Sequence, residues 1–231
     1  MKSLLLILTL GGLSISPIDF KNTEKRNVGT YDSIHIAGSY EVTLISGSEG
    51  TIQLKGGSDH LKKIDTDVKK GTLIIKQKEK YWFGNWDSET VYITIPVKDI
   101  NKVILSGSGE IVADFPLEGD HFETILSGSG KINLNLDVTA VRAIVSGSGD
   151  INLTGRSNQV NFTISGSGEI DAVDVKAKTG EARISGSGDI SMYATEILNA
   201  SIIGSGEVFC KGNPSKQMTK VIGSGDIIAS D

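Results

Sequence analysis

Residues 104–111 have the sequence ILSGSGEI, and six variants of this phrase follow it along the chain. The first glycines of the seven phrases are Gly107, Gly128, Gly147, Gly166, Gly186, Gly204 and Gly223. The intervals between them along the chain are therefore 21, 19, 19, 20, 18 and 19. This period is typical of one coil of a β-solenoid, and it is too short for a propeller blade of roughly 40 residues.

Apolar and polar residues alternate around each phrase. If the Ile or Val after the charged residue is the origin, the residues two places later and six places earlier are apolar in all seven repeats, as at Leu134 and Leu126. Strand side chains point to opposite faces with a period of two, so these positions predict a buried face. A single coil cannot bury that face alone, so the coils are expected to stack and pair with one another. The predicted fold is an all-β parallel β-helix.

The N-terminal part also predicts strands. Five β-rich stretches lie at residues 33–37, 40–45, 51–55, 72–77 and 91–95, and residues 59–64 favour a short helical turn. Residues 37–42, AGSYEV, look like a degenerate coil corner. Because an open solenoid end would expose unpaired backbone and apolar interior, we interpret residues 17–100 as a β-rich cap continuous with the solenoid of residues 101–231.

Residues 1–16 have the pattern of a secretory signal peptide, with Lys2, an apolar stretch at residues 4–10 and cleavage expected near Ser16. The apolar stretch is shorter than the roughly 20 residues of a membrane span, so no membrane span is predicted. The expected location is the periplasm, the cell surface or the medium. The formal net charge of -5 gives no electrostatic reason to expect a nucleic-acid partner.

The serial GSG phrases occur together with SIHIAGSYEVTL at residues 33–44, DTDVKKGTLIIK at residues 65–76 and VYITIP at residues 91–96. In this combination the chain resembles the family described as putative auto-transporter adhesin, head GIN domain, which is found in exported bacterial proteins. The resemblance implies a single-stranded, right-handed parallel β-helix, similar in shape to pectate-lyase folds, with a role in cell adhesion and no enzymatic residues.

An outward charged residue follows each GSG corner. The carboxylates are those of Glu110, Asp150, Glu169, Asp189, Glu207 and Asp226, and Lys131 interrupts them. Neighbours would lie about 4.8 Å apart if the coils stack in register, and like charges at that distance repel by roughly 1 kcal/mol in water. A solvated polar face is the main interpretation of this acidic column. Cation binding is the alternative, because calcium accepts carboxylates, but no dedicated metal site and no cofactor are predicted.

Two further surfaces could bind a partner. The aromatic residues Tyr81, Trp82, Phe83 and Trp86 lie between two predicted strands, where they could stack on sugars, anchor a protein or fold back to seal the solenoid.

Five corners carry an outward serine, whereas the last two carry Ile203 and Ile222, and Phe209 and Ile228 similarly replace polar residues of the middle coils. Contiguous outward apolar residues indicate that the surface is covered. The cover is either another segment of this protein or a partner chain, including a second copy in a homo-oligomer that forms through the C-terminal coils.

These patterns favour a non-enzymatic exported β-solenoid that serves in cell adhesion, surface interaction or envelope scaffolding, with a protein or glycan partner at the cell envelope. The three histidines, His35, His60 and His121, are isolated and lack metal-ligand spacing, and no catalytic residues are predicted. The alternative is a carbohydrate-binding or polysaccharide-acting protein that uses the aromatic loop and the acidic face.

Overall fold

A computed structural model describes residues 22–79 and 89–230, which form eighteen strands and one short helix, α1 (Ser58–Leu61). The strands are β1 (Thr23–Gly29), β2 (Ser33–Ala37), β3 (Glu41–Ser46), β4 (Gly50–Lys55), β5 (Ile64–Lys69), β6 (Thr72–Gln77), β7 (Tyr92–Val97), β8 (Lys102–Gly107), β9 (Glu110–Gly128), β10 (Lys131–Gly147), β11 (Asp150–Gly166), β12 (Glu169–Lys176), β13 (Thr179–Gly186), β14 (Asp189–Tyr193), β15 (Ile197–Gly204), β16 (Glu207–Lys211), β17 (Lys216–Gly223) and β18 (Asp226–Ser230). All eighteen belong to one hydrogen-bonded sheet. The protein is therefore all-β.

The repeats stack as parallel coils in register, which confirms the predicted solenoid. Val145 of β10 lies opposite Leu126 of β9 on one side and Ile164 of β11 on the other. The column continues through Ile184 and Ile202, and all five side chains are buried. Repetition of this pairing produces a β-solenoid of about seven turns with a spacing near 19 residues. The interior is apolar because every coil contributes the same inward positions.

Coils longer than the common repeat place their extra residues in bulges, so the ladder stays in register. Between β9 and β10, Leu134 pairs with Ala113 but Asn135 pairs with Pro116, so two residues of the longest coil have no partner in β10. A second irregularity adds one residue near Val173, whose backbone N–H donates to the Asp171 side chain at 3.2 Å. A bulge absorbs an insertion locally because the residues on both sides resume their pairing.

The GSG corners are the closest contacts between coils. Gly147 has a φ of 129°, which side chains of L-residues rarely adopt, and a Cβ there would overlap the carbonyl oxygen of Gly128. The corners are also hydrogen-bonded, since the backbone N–H of Ser148 donates to Gly128 O at 2.9 Å and that of Ser167 donates to Gly147 O at 2.9 Å. Glycine is required at the corner by both conformation and space.

In the last coil, Val221 occupies the predicted inward position but is not buried. Val221 belongs to the column of Ile202 but is 41% exposed, while its counterparts in the six earlier coils are buried. In the described part of the chain, β17 stacks in register only on β15, so nothing covers the other side of this coil. The alternation therefore predicts which face a residue occupies, whereas burial also needs a neighbouring coil on each side.

The N-terminal part agrees with the predicted strands within two residues, because β2, β3, β4, β6 and β7 occupy those stretches, and α1 lies near the predicted helical turn. Two strands were not predicted: β1, which pairs antiparallel with β4, and β5, which pairs antiparallel with β6. The stacking begins here, since β2 pairs parallel with β8 and β3 pairs parallel with β9. The assignment of residues 17–100 as a cap stays a prediction.

Gly147→Ala should lower the free energy of unfolding by at least about 2 kcal/mol, because it adds backbone strain and forces two coils apart. Denaturant unfolding followed by circular dichroism measures this loss. Gly47→Ala is the matched control, since a Cβ at Gly47 would make only an ordinary contact with Pro96. Equal stability of the two variants would contradict the close-contact role of the corner.

Candidate functional site

The acidic column predicted from the sequence is a ladder in register. Lys131 pairs with Glu110 on one side and with Asp150 on the other. The column then continues through Glu169, Asp189, Glu207 and Asp226. The structure also adds Glu41, which lies opposite Glu110 and follows the degenerate corner of residues 37–42. The sequence reasoning noticed that corner but did not extend the column to it.

Burial and neighbouring carboxylates make the column electrostatically unfavourable at two positions. Burial, followed by the carboxylates of Asp150, Asp171 and Asp189, raises the pKa of Glu169, and Lys131 partly opposes this shift. Burial and the adjacent Glu110 raise the pKa of Glu41. Burial is the larger cause of both pKa shifts, and the stacking of like charges one coil apart adds to it.

Hydrogen bonds between coils hold the side chains next to the acidic column. The Asn133 amide donates to Glu110 Oε1 at 2.7 Å, and the Asn152 amide donates to Asn133 Oδ1 at 2.8 Å. Each bond joins equivalent or adjacent columns of successive coils. The face is therefore an ordered polar surface built on the same register as the core.

Cation binding by the acidic column stays a prediction. Within residues 22–79 and 89–230, no group of three or more His, Cys, Asp or Glu side chains is arranged to hold a metal ion. One carboxylate per coil gives few oxygen ligands at any point, and calcium takes six to eight.

Replacing Glu169 tests the combined cost of burying its charge and of repulsion by the neighbouring carboxylates. Because its folded-state pKa is raised, the group stabilises the fold fully below its ordinary pKa of 4.5, and this stability is lost as the pH rises through the folded pKa. Gln does not ionise, so Glu169→Gln should raise Tm near neutral pH, on the order of 1 °C, and leave it unchanged well below pH 4.5. Differential scanning calorimetry over this pH range measures both.

Asp226→Asn is the matched control, because Asp226 stands at the end of the column with Glu207 as its one partner in register among the described strands. Its effect on Tm should be smaller. A fall in Tm of Glu169→Gln at neutral pH would contradict repulsion and favour a bound cation, which added calcium would then test on the wild-type protein.

The four outward apolar residues of the last coils come together as two stacked pairs. Ile203 lies opposite Ile222, and Phe209 lies opposite Ile228, on the two sides of the GSG corners. Ile203 is 57% exposed, Ile222 52% and Ile228 45%, while Phe209 is half-buried. We call these four residues the C-terminal apolar patch. About half of each isoleucine is open to solvent in the described part of the chain.

Met218 enlarges this apolar region and was not found from the sequence. It is 51% exposed and shares the outward face of β17 with Ile222, from which it is four positions distant. Its counterpart in the preceding coil is Asn199. Comparison of the GSG phrases alone could not find it, because it lies outside them; comparison of whole columns would have.

The aromatic candidates Tyr81, Trp82, Phe83 and Trp86 lie outside the described residues. Their proposed roles in sugar stacking or partner anchoring therefore stay predictions.

A polysaccharide-acting site beside Arg142 would need several carboxylates. Arg142 lines a groove of about 580 Å³ in which Glu123 is the one carboxylate among the described lining residues. Lys102 Nζ lies 2.6 Å from Glu123 Oε2, and Arg142 Nη1 lies 2.8 Å from Glu123 Oε1. Lys102, more than Arg142, lowers the pKa of Glu123, so this carboxylate stays ionised and held by two cations. The arrangement is a salt-bridged ladder across three coils.

A second groove carries basic residues and was missed by the sequence reasoning. It measures about 650 Å³, and its lining residues lie within β9, β10 and β11 and at or just after the ends of β12 and β14. Arg156, Lys176 and Lys178 line it, together with Asp137 and Tyr193. The bulge near Val173 shifts Lys176 by one place relative to Arg156 in the repeat, so a comparison at fixed spacing does not align them.

Comparisons with known proteins agree with this architecture. A family model described as putative auto-transporter adhesin, head GIN domain, matches residues 30–214. No curated protein gives a match. Within the described ranges, no helix has the length and apolar character to cross a membrane.

Several solved structures share the fold. A putative adhesin from Bacteroides fragilis NCTC 9343 is 24% identical, with a TM-score of 0.83 over 90% of this chain and 96% of its own. A putative lipid binding protein from Parabacteroides distasonis ATCC 8503 is 27% identical, with a TM-score of 0.74 over 91% and 96%. A putative adhesin from Parabacteroides merdae ATCC 43184 is 21% identical, with a TM-score of 0.69 over the same shares.

Proposed function

Because the chain belongs to the family of the auto-transporter adhesin head GIN domain, as its GSG phrases predicted, we propose that it is a non-enzymatic exported β-solenoid that serves in cell adhesion, surface interaction or envelope scaffolding. The observation that carries the proposal is the C-terminal apolar patch. Soluble proteins rarely leave such contiguous apolar residues open unless the surface binds a partner.

The position of the patch supports a role in contact. Of the six large hydrophobic residues that are exposed in the described part of the chain, five lie in the last two coils, and Ile45 is the sixth. In earlier coils the position of Ile203 carries serine, as at Ser185 directly below it in the column. The apolar character is therefore local to one end of an otherwise polar ladder.

The partner that the patch fits best is a second copy of the chain. A two-fold contact places the same surface on both subunits, so the isoleucine pairs of one copy would bury those of the other. The stacked coils hold Ile203 and Ile222 on neighbouring strands, which reduces the conformational freedom that binding must remove. Such a contact would join copies that lie on the same surface, as scaffolding requires, or copies that lie on two different surfaces, as adhesion requires.

Export remains part of the proposal. The signal-peptide pattern of residues 1–16 and the family both support it, and the destination is the periplasm, the cell surface or the medium.

Replacing Ile203 and Ile222 with serine, the residue that earlier coils carry at this position, tests the contact. Ile203→Ser/Ile222→Ser should weaken self-association of the purified protein at least about tenfold, because two buried isoleucines per subunit leave the interface. Sedimentation velocity over a concentration series measures the association constant. Beads coated with the wild-type protein should clump, and beads coated with the double variant should clump much less.

Ile45→Ser is the matched control, since Ile45 is 42% exposed but lies in β3, outside the C-terminal coils. It should associate and clump like the wild type. A wild-type protein that stays monomeric at all concentrations, on beads that do not clump, would overturn the proposal of contact between copies.

The carbohydrate alternative rests on the aromatic loop and the acidic face. Trp82→Ala/Trp86→Ala should abolish binding on a glycan array if the loop holds sugars. Binding to no glycan by the wild-type protein would remove this alternative.

A further inference from the structure

The second groove, lined by Arg156, Lys176 and Lys178, is called the basic groove below. We infer that it is a binding site for an extended carboxylated polysaccharide, a chain of uronic-acid units. This inference goes beyond the proposed adhesive contact, because it concerns other residues and does not depend on the C-terminal apolar patch. It rests on the shape of the groove floor, on the charge of its walls and on the way its cations are held.

The floor of the groove is made of small side chains stacked along the solenoid. Val138 lies opposite Gly119 in one neighbouring coil and opposite Ser157 in the other, and Ala177 belongs to the next coil. Val138, Ser157 and Ala177 are buried, and Val138 and Ala177 belong to the hydrophobic core that lies beneath the groove. The Ser157 Oγ lies 2.9 Å from Gln159 O and 3.2 Å from Thr139 O, so its single proton is donated to one of these two backbone oxygens.

The groove is elongated along the solenoid axis. Its lining runs from Gly119 to Thr195, through five successive coils. At about 4.8 Å per coil, five strands span roughly 20 Å. A groove of this length that opens to solvent along its side fits a chain better than a compact small molecule.

The walls are positive on a protein that is negative overall. Arg156, Lys176 and Lys178 line the groove, while Asp137 is the one acidic residue among the described lining, giving a local balance of +2 against the net charge of -5. Arg156 neutralises Asp137 in a two-pronged pair, with Nε 2.7 Å from Oδ1 and Nη2 2.5 Å from Oδ2. The Arg156–Asp137 pair therefore does not involve Lys176 or Lys178.

Lys176 is held in place without a carboxylate. Its Nζ lies 4.1 Å from the centroid of the Tyr193 ring, in a cation–π contact, and it forms no ion pair within the described ranges. Gly212 lies close to the same ring, because a Cβ at that position would be 3.0 Å from Tyr193 Cζ. Lys178 Nζ is 3.9 Å from Glu196 Oε1, and both side chains are mostly exposed, so this pair is weak.

The remaining wall groups distinguish a sugar chain from other polyanions. Thr139, Asn158 and Thr195 are exposed and offer hydroxyl and amide groups for the hydroxyls of a sugar. Single-stranded nucleic acid needs an open aromatic face on which bases stack, and Lys176 lies over the Tyr193 ring. Carboxylates on a chain of sugars match both the lysines and the hydroxyl-rich wall.

The test uses isothermal titration of the full chain with a hexamer of galacturonate. We expect saturable binding that weakens with added salt, and no binding of the methyl-esterified, neutral hexamer. Lys176→Ala/Lys178→Ala should weaken binding of the acidic hexamer roughly tenfold or more. The galacturonate monomer at the same carboxylate concentration should bind far more weakly, because it reaches only one lysine at a time.

Lys62→Ala/Lys69→Ala is the matched control. It also removes two positive charges, but from the N-terminal part, where Lys62 pairs with Asp59 and Lys69 pairs with Asp67 in exposed ion pairs. This variant should bind the acidic hexamer like the wild type. Thermal unfolding of both double variants checks that each is folded. Ile203→Ser/Ile222→Ser should also bind the hexamer normally, so failure of the adhesive contact would leave this result unchanged.

Three outcomes would overturn the inference. No binding of the acidic hexamer to the wild type would remove it. Equal losses in the two lysine double variants would show that only net charge matters. Binding of the monomer as tight as that of the hexamer would show a site for a single anion rather than for a chain.

Discussion

The contact between glycine corners of successive coils is the constraint on which the rest of the structure depends. Where Gly147 rests on Gly128, no side chain separates the two backbones, so each coil lies at hydrogen-bonding distance from the next. That spacing places equivalent residues of neighbouring coils in register. The apolar core, the acidic column and the C-terminal apolar patch all arise because equivalent residues repeat at this spacing along the solenoid axis.

The same register explains why one protein carries surfaces of different chemistry. Each outward position is a column, and its character can change from coil to coil without disturbing the interior. The column of Ser185 becomes apolar at Ile203, while the column of Asp137 becomes basic at Arg156. An outward substitution alters a surface and leaves the stacking contacts alone, so the solenoid separates the residues that fold it from those that face a partner.

The sequence predicted the parts of the fold that repeat. The positions of Leu126 and Val145 were assigned to the interior, and the column from Glu110 to Asp226 was assigned to the outside, because the period of the GSG phrases fixes both. β1, with the sequence TEKRNVG, has mostly polar residues and pairs antiparallel at its edge, so no repeat or alternation identified it. The basic groove was missed because a bulge is needed to bring Lys176 into line with Asp137 and Arg156. Val221 occupies the predicted face but is exposed, because burial depends on a neighbouring coil that a single strand does not encode.

The bulge between Ala113 and Pro116 shows how this architecture tolerates added chain. Asp114 and Phe115 are inserted there, yet Leu117 is again opposite Leu136 and the ladder continues to the next glycine corner. Foreign loops grafted at this point would thus be displayed at a defined height on a rigid column. Solenoids of this kind can acquire new recognition elements by lengthening one coil, while their neighbours keep the original packing.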